Sequence, residues 1–216
     1  MLEFLNNIDT WLLLLINGWH NDYFDHFMIT FSTVKVWIPM YAAFLIPVVI
    51  KYKYKSIWII LAVVLTIVLA DQLASGVIKN VVQRLRPSRD PALDGLVHIV
   101  NNYRSGKYGF VSSHAANSFA FALMTSYIMR KRFYTIAIFL WAVVNSYSRM
   151  YLGVHYPFDI LGGMVVGLSV AYGIYFLLKK YRKSLFDTEM SDQQVRIPVV
   201  VLALSVISIA VYAMQV

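Results

Sequence analysis

Long apolar runs separated by short charged ones dominate this chain. A run of about 20 apolar residues spans the hydrocarbon core of a bilayer, and the pattern predicts six such helices. They are roughly Met28–Ile50, Ser56–Ile78, Ser113–Met129, Phe133–Leu152, Pro157–Leu178 and Ile197–Met214. Ahead of them, Leu2–Trp19 carries Leu12-Leu13-Leu14-Leu15-Ile16 but is interrupted by Asn6, Asn7 and Asp9. That segment reads as an interfacial helix lying on the membrane, with a tilted seventh span as the alternative. No internal repeat is evident. The expected fold class is all-α: a polytopic membrane helical bundle of about six transmembrane helices plus an N-terminal interfacial helix, forming one membrane-embedded domain over residues 1–216.

Composition agrees with this pattern. Of the 216 residues, 59% are hydrophobic and 14% charged, against roughly 25% charged in soluble domains. There are no cysteines, which excludes disulfides, thiolate metal sites and a cysteine nucleophile. Met1 to Asn7 contains no Lys or Arg, so no cleavable signal peptide is expected. A net charge of +8 would suggest nucleic acid in a soluble chain. Here 10 of the 19 Lys and Arg residues sit in three short loops, Lys51–Lys55, Arg130–Arg132 and Lys179–Lys183. Six spans place all three on one side, the cytoplasmic side by the positive-inside bias, and nucleic acid is not implied. The opposite face holds the loop Lys79–Ser112 and the turn Ser148–Tyr156. Lys79, Arg84, Arg86, Arg89, Arg104, Lys107 and Arg149 lie there against the bias, and an anionic ligand would account for them.

Three clusters on that face carry candidate chemistry. In the first, Lys79 and Arg86-Pro87 are seven residues apart, on one face if the helix continues between them. Two cations there suit a phosphate, or equally a pair of charges snorkelling to a membrane surface. The second is Tyr108-Gly109-Phe110-Val111-Ser112-Ser113-His114, leading into an apolar run. It reads as a helix N-terminus, where free N–H groups bind an anion or where Ser112 or Ser113 is an ordinary cap. The third runs from Ser148-Arg149 to His155 and Asp159. Four residues apart, the histidine and carboxylate can meet; the pair is either a nucleophile with its orienting acid or a buried structural pair. Two histidines and an aspartate also suit zinc, but three nearby cations would repel it.

Together the clusters resemble the tripartite signature of the type 2 phosphatidic acid phosphatase family, which reads KxxxxxxRP, PSGH and SRxxxxxHxxxD. The first and third parts match at Lys79, Arg86-Pro87, Ser148-Arg149, His155 and Asp159. The middle part keeps Ser112 and His114 but has Val111 for the proline and Ser113 for the glycine. The matching core spans about Asp71 to Gly167. The resemblance implies a metal-independent lipid phosphate or pyrophosphate phosphatase with no cofactor. It implies His155 as the nucleophile that forms a phosphohistidine, oriented by Asp159, with His114 as the acid for the leaving oxygen. Lys79, Arg86, Arg149, Ser112 and the backbone near Ser113 would hold the phosphate.

The substrates the resemblance implies are a phospholipid, a polyprenyl phosphate or a lipid A phosphate: phosphatidic acid, phosphatidylglycerol phosphate, undecaprenyl pyrophosphate or the phosphates of lipid A. The expected location is the cytoplasmic membrane, with the site facing the periplasm or exterior. A lipid phosphotransferase using the same histidine is the alternative enzyme, and a scaffold or transporter the alternative class. Among quieter features, Asp71 within the second span reads as structural or as supporting the site. Gly163 and Gly167 share a stripe with Asp159 and suit close helix packing. His20, His26 and His98 are read as non-catalytic, and the sequence names no partner for them.

Overall fold

The computed structural model describes residues 2–186 and 189–215, and its regular structure is helical, with no β-strand among the described residues. In chain order the helices are α1 (Leu2–Asn17), α2 (Asp22–Phe31), α3 (Ile38–Tyr52), α4 (Ser56–Asp71), α5 (Lys79–Val82), α6 (Ser113–Met129), α7 (Arg132–Tyr151), α8 (Pro157–Tyr181) and α9 (Asp192–Ala213). A wide π-helical stretch, Gln72–Ile78, joins α4 to α5 without a break. Among the described residues, three stretches are long and apolar enough to cross a membrane: Val34–Val82, Pro157–Tyr181 and Asp192–Ala213.

The expected first span, Met28–Ile50, is not one helix. α2, capped by Asn21 on the Phe24 N–H, stops at Phe31. A tight 3-10 turn, Val34–Trp37, follows, and α3 begins with Pro39 in its first turn. The break itself is at Thr33, whose backbone is extended at φ −80°, ψ 117°, and Pro39 sits in the first turn of α3, where its missing N–H costs little. The break turns Ser32 inward, against Arg149.

α6 is the axis of the bundle and packs against α4, α7 and α8. Shielded from lipid, it can afford polar residues. Thr125 and Ser126 return their hydroxyls to backbone carbonyls one turn back. The closest approach is to α8, where Gly163 and Gly167 lie against the backbone of Ser112 and Ala116. A Cβ on Gly167 would collide with the Ala116 carbonyl. Without a hydrophobic drive between helices in lipid, such small-residue contacts carry much of the association.

The basic loops gather at one end. Arg130 donates to the Phe186 carbonyl, pairs with Glu189 and lies near Lys51; Arg182 stacks on Trp58. α6 and α8 both start at the other end, with the long loop 83–112. α1 is also there. Its buried stripe Asp9, Leu13 and Asn17 faces the protein, while Phe4, Trp11 and Leu15 stay exposed.

Gly167→Val should therefore destabilise the bundle by about 1–3 kcal/mol through overpacking. Gly173, on the same helix with open space around it, should accept Ala with a gain of about 0.5–1 kcal/mol. Thermal unfolding of the two variants in detergent checks both signs.

Candidate active site

His155 is 1% exposed and Asp159 fully buried. The Asp159 Oδ2 lies 3.2 Å from His155 Nδ1 and also accepts the Tyr156 N–H at 3.0 Å. These partners assign the proton to Nδ1 and leave Nε2 unprotonated, as an acceptor. The Arg86 Nη1 lies 2.7 Å from Nε2 and donates to the Val154 carbonyl at 2.8 Å. Two glycines permit this packing. Gly153 adopts φ +66° in the turn that returns the chain from Arg149 to His155. Gly109 lies so close to Asp159 that a Cβ would sit 2.7 Å from Oδ2.

Lys79 and Arg86 do not share a helix face, contrary to the reading from their spacing. The helix ends at Val82, where Gln83 turns left-handed at φ 51°. Arg86 arrives instead through an antiparallel bridge, Leu85 with Tyr108, secured by Arg86 N–H to the Lys107 carbonyl and Gly109 N–H to the Arg84 carbonyl. Lys79 reaches the same region from the helix end and donates to Ser113 Oγ at 3.0 Å. The serine in place of the family's glycine thus supplies that hydroxyl. Ser112 is fully buried. Its hydroxyl caps α6 by accepting the Ala115 N–H, and its own N–H donates to the Asp159 carbonyl.

Arg149 is 1% exposed and donates to Ser32 Oγ and to the Tyr103 hydroxyl. The Nε atoms of Arg149 and Arg86 are buried without a hydrogen-bond partner among the described residues. Lys79, Arg86 and Arg149 form no carboxylate ion pair among the described residues. His114 faces Ser32 and lines a cavity of about 200 Å³ with Trp37, Asn117 and Asn145. It lies near His155, as do Arg86, Arg149 and Lys79.

These surroundings set the ionisation of the groups outside the spans. Burial first, then Arg86 and Arg149, holds His155 well below the ordinary histidine value, so the ring is neutral. Burial and the neighbouring Arg149 bring Arg86 down to about 10, still cationic at neutral pH. Burial alone would raise the Tyr103 phenol, but Arg149 and Arg86 draw it below its usual value.

Several partners escaped the sequence reading. Asp9 is fully buried and pairs with Arg84, which also reaches Asp159. A carboxylate inside an apolar helix was the available signal; nothing in the sequence marked Ser32 or Tyr103. Asp71 accepts from Asn117 at 3.1 Å. His98, for which the sequence named no partner, pairs with Asp25 at 2.8 Å and stacks on His20 at 3.6 Å. No group of three or more potential metal-ligating side chains occurs among the described residues.

His155 should keep the resonances of a neutral ring in 15N-labelled protein as pH falls through about 6.5, where an unfolded histidine protonates. A folded value below the unfolded one means fewer bound protons in the folded state under acid conditions. Its contribution to stability is therefore intact above pH 6.5 and lost as pH falls further. A ring that protonates at or above 6.5 would contradict the dominance of burial and cations.

Residues 57–183 match the PAP2 superfamily. A lipid A 4'-phosphatase of Bacteroides thetaiotaomicron is 44% identical over 183 residues, covering 83% of this chain and 81% of the relative. One of Porphyromonas gingivalis is 38% identical, covering 81% and 74%. Among solved structures, LpxE of Aquifex aeolicus superposes with a TM-score of 0.58 at 26% identity, over 77% of this chain and 94% of that one. A transmembrane PAP2-type phosphatidylglycerolphosphate phosphatase from Bacillus subtilis shares the fold at TM-score 0.63 and 20% identity, over 83% and 88%. With the family region holding every part of the three clusters, the chain belongs to the PAP2 superfamily and is a membrane-embedded phosphatase.

Proposed function

We propose that this protein hydrolyses a phosphate monoester of lipid A, at the 4' position, through a phosphohistidine on His155. The carrying observation is the burial of Lys79, Arg86 and Arg149, at 9%, 5% and 1% exposure, with no carboxylate ion pair among the described residues. Each buried charge costs several kcal/mol when uncompensated, on the order of the penalty for breaking a buried ion pair. A phosphate dianion set among the three cations offsets that cost, and more so as charge spreads over the equatorial oxygens in the transition state. The names of the two bacterial relatives favour lipid A as the lipid.

The proposed steps use the groups in the positions described above. His155 Nε2 attacks phosphorus and the P–O bond to the lipid breaks, with His114 giving its proton to the departing oxygen. Water then attacks the phosphohistidine, returns a proton to His114, and the P–N bond breaks to release inorganic phosphate. Asp159 holds Nδ1–H throughout and stabilises the positive charge the ring gains. Arg86 must move off Nε2 onto the phosphate as substrate enters. Lys79 and Arg149 hold the remaining oxygens, with the α6 N-terminus beside them. Ser112 contributes by fixing that N-terminus, since its hydroxyl already caps the helix. The site faces away from the three basic loops, and the positive-inside bias supports reading it on the periplasmic or exterior side of the cytoplasmic membrane.

Purified protein in detergent should release phosphate from bisphosphorylated lipid A faster than from phosphatidylglycerol phosphate, undecaprenyl pyrophosphate or phosphatidic acid. Mass spectrometry should show loss of the 4'-phosphate. Preference for another lipid would overturn the substrate assignment and leave the mechanism standing.

The histidines separate on leaving-group quality. His155→Ala should abolish turnover on every substrate. His114→Ala should lose roughly 100- to 10,000-fold on a lipid alkoxide, the worth of general acid catalysis, but much less on an activated aryl phosphate. Asp159→Asn should fall between. Near wild-type phosphate release by His155→Ala would refute the nucleophile.

A further inference from the structure

We propose that Asp9, on the N-terminal helix, is a positioning residue for the reaction: through Arg84 it sets how Asp159 holds His155. The proposal rests on His155 acting as the nucleophile. Asp9 lies outside the region 57–183 that defines the family match, yet its carboxylate is fully buried.

Both of its oxygens are engaged. Oδ2 accepts Arg84 Nη1 at 2.7 Å, and Oδ1 accepts the Phe158 N–H at 2.8 Å. The same Nη1 reaches Asp159 Oδ1 at 3.2 Å. Asp159 thus divides its two oxygens: one takes Arg84, the other His155 Nδ1 and the Tyr156 N–H. Arg84 is held in place by its guanidinium lying 3.8 Å over the Tyr156 ring.

Charge counting shows what Asp9 does. Two buried carboxylates share one arginine, so the cluster retains one negative charge beside a neutral imidazole. With Asp9 neutral, Arg84 would serve Asp159 alone. A cation committed to that carboxylate competes with Nδ1–H and weakens the counter-charge for the ring as it attacks phosphorus. The Phe158 N–H needs only an acceptor, which an asparagine provides; the negative charge of Asp9 is needed by Arg84 alone. Asp9 also anchors the first turn of α8 one residue before Asp159.

The test compares Asp9→Asn with the unchanged protein in purified full-length form, alongside Arg84→Gln, the double variant and His155→Ala. The other groups acting on the ring are Arg86, Arg149, Lys79 and His114; none is altered. Asp9→Asn should lower kcat about tenfold, within the range of coupling between contacting charged groups, and leave KM unchanged. The acid limb of its kcat profile should move to lower pH, because the imidazole becomes less basic. Arg84→Gln removes the cation and keeps both carboxylates, so its acid limb should move to higher pH. The double variant should match Arg84→Gln in kcat, since Asp9 then has nothing to act through.

Wild-type kcat and pH profile in Asp9→Asn, or a fall in Tm alone, would overturn the proposal. Independent multiplication of the two single effects would do the same. Should Asp9→Asn not fold, the direction of the Arg84→Gln limb decides alone: no shift, or a shift to lower pH, refutes the coupling. An inactive His155→Ala beside a wild-type Asp9→Asn sinks only the positioning role, whereas an active His155→Ala sinks the site reading itself.

Discussion

Three cations held out of water with no carboxylate of their own are the constraint on which the rest of this structure depends. Lys79, Arg86 and Arg149 repel one another, and the acid beside His155, Asp159, is directed at that histidine and at Arg84. Neutral donors and acceptors hold the cations in place: Ser113, Ser32, Tyr103 and the Val154 carbonyl. Such groups orient a charge without cancelling it, which is the basis for the proposed phosphate site. The same cations, with burial, keep His155 neutral, the form in which a lone pair is available for attack.

Holding that arrangement requires a rigid frame, and the α6–α8 contact supplies it. Gly163 and Gly167 bring the two helix backbones together, and the Ser112 N–H donates directly to the Asp159 carbonyl. The α6 N-terminus and the residue that orients His155 are therefore positioned by a single helix pair. Arg149 enters from α7, and the loop bridge at Leu85 and Tyr108 delivers Arg86. No one element carries the proposed phosphate site; each contributes one or two side chains to a common point at one end of the bundle.

The two ends differ in how they treat charge. At the basic-loop end, half-buried Lys131 pairs with exposed Asp192 and exposed Arg130 with exposed Glu189, the kind of surface pairing that contributes little to stability. At the site end, charges are buried and their partners come from distant parts of the chain. Asp9 and Arg84 are 75 residues apart, and Asp9 meets the Phe158 N–H across 149.

Hydrophobic periodicity alone determined the helical membrane class, because only helices and closed barrels satisfy every backbone group in lipid. The order and spacing of the three motifs likewise named the residues around His155, since His155 and Asp159 lie one helical turn apart and their pairing is local. Tertiary structure decided the rest. The break after Phe31 depends on a turn that brings Ser32 to Arg149. Lys79 and Arg86 share a site through a reversed loop, where spacing had suggested a common helix face. Asp9, read as a flaw in an apolar helix, became a buried partner only when α1 docked on α8. Local sequence encodes helical turns and their faces, but a long-range ion pair exists only once packing has brought both ends together and excluded water from between them.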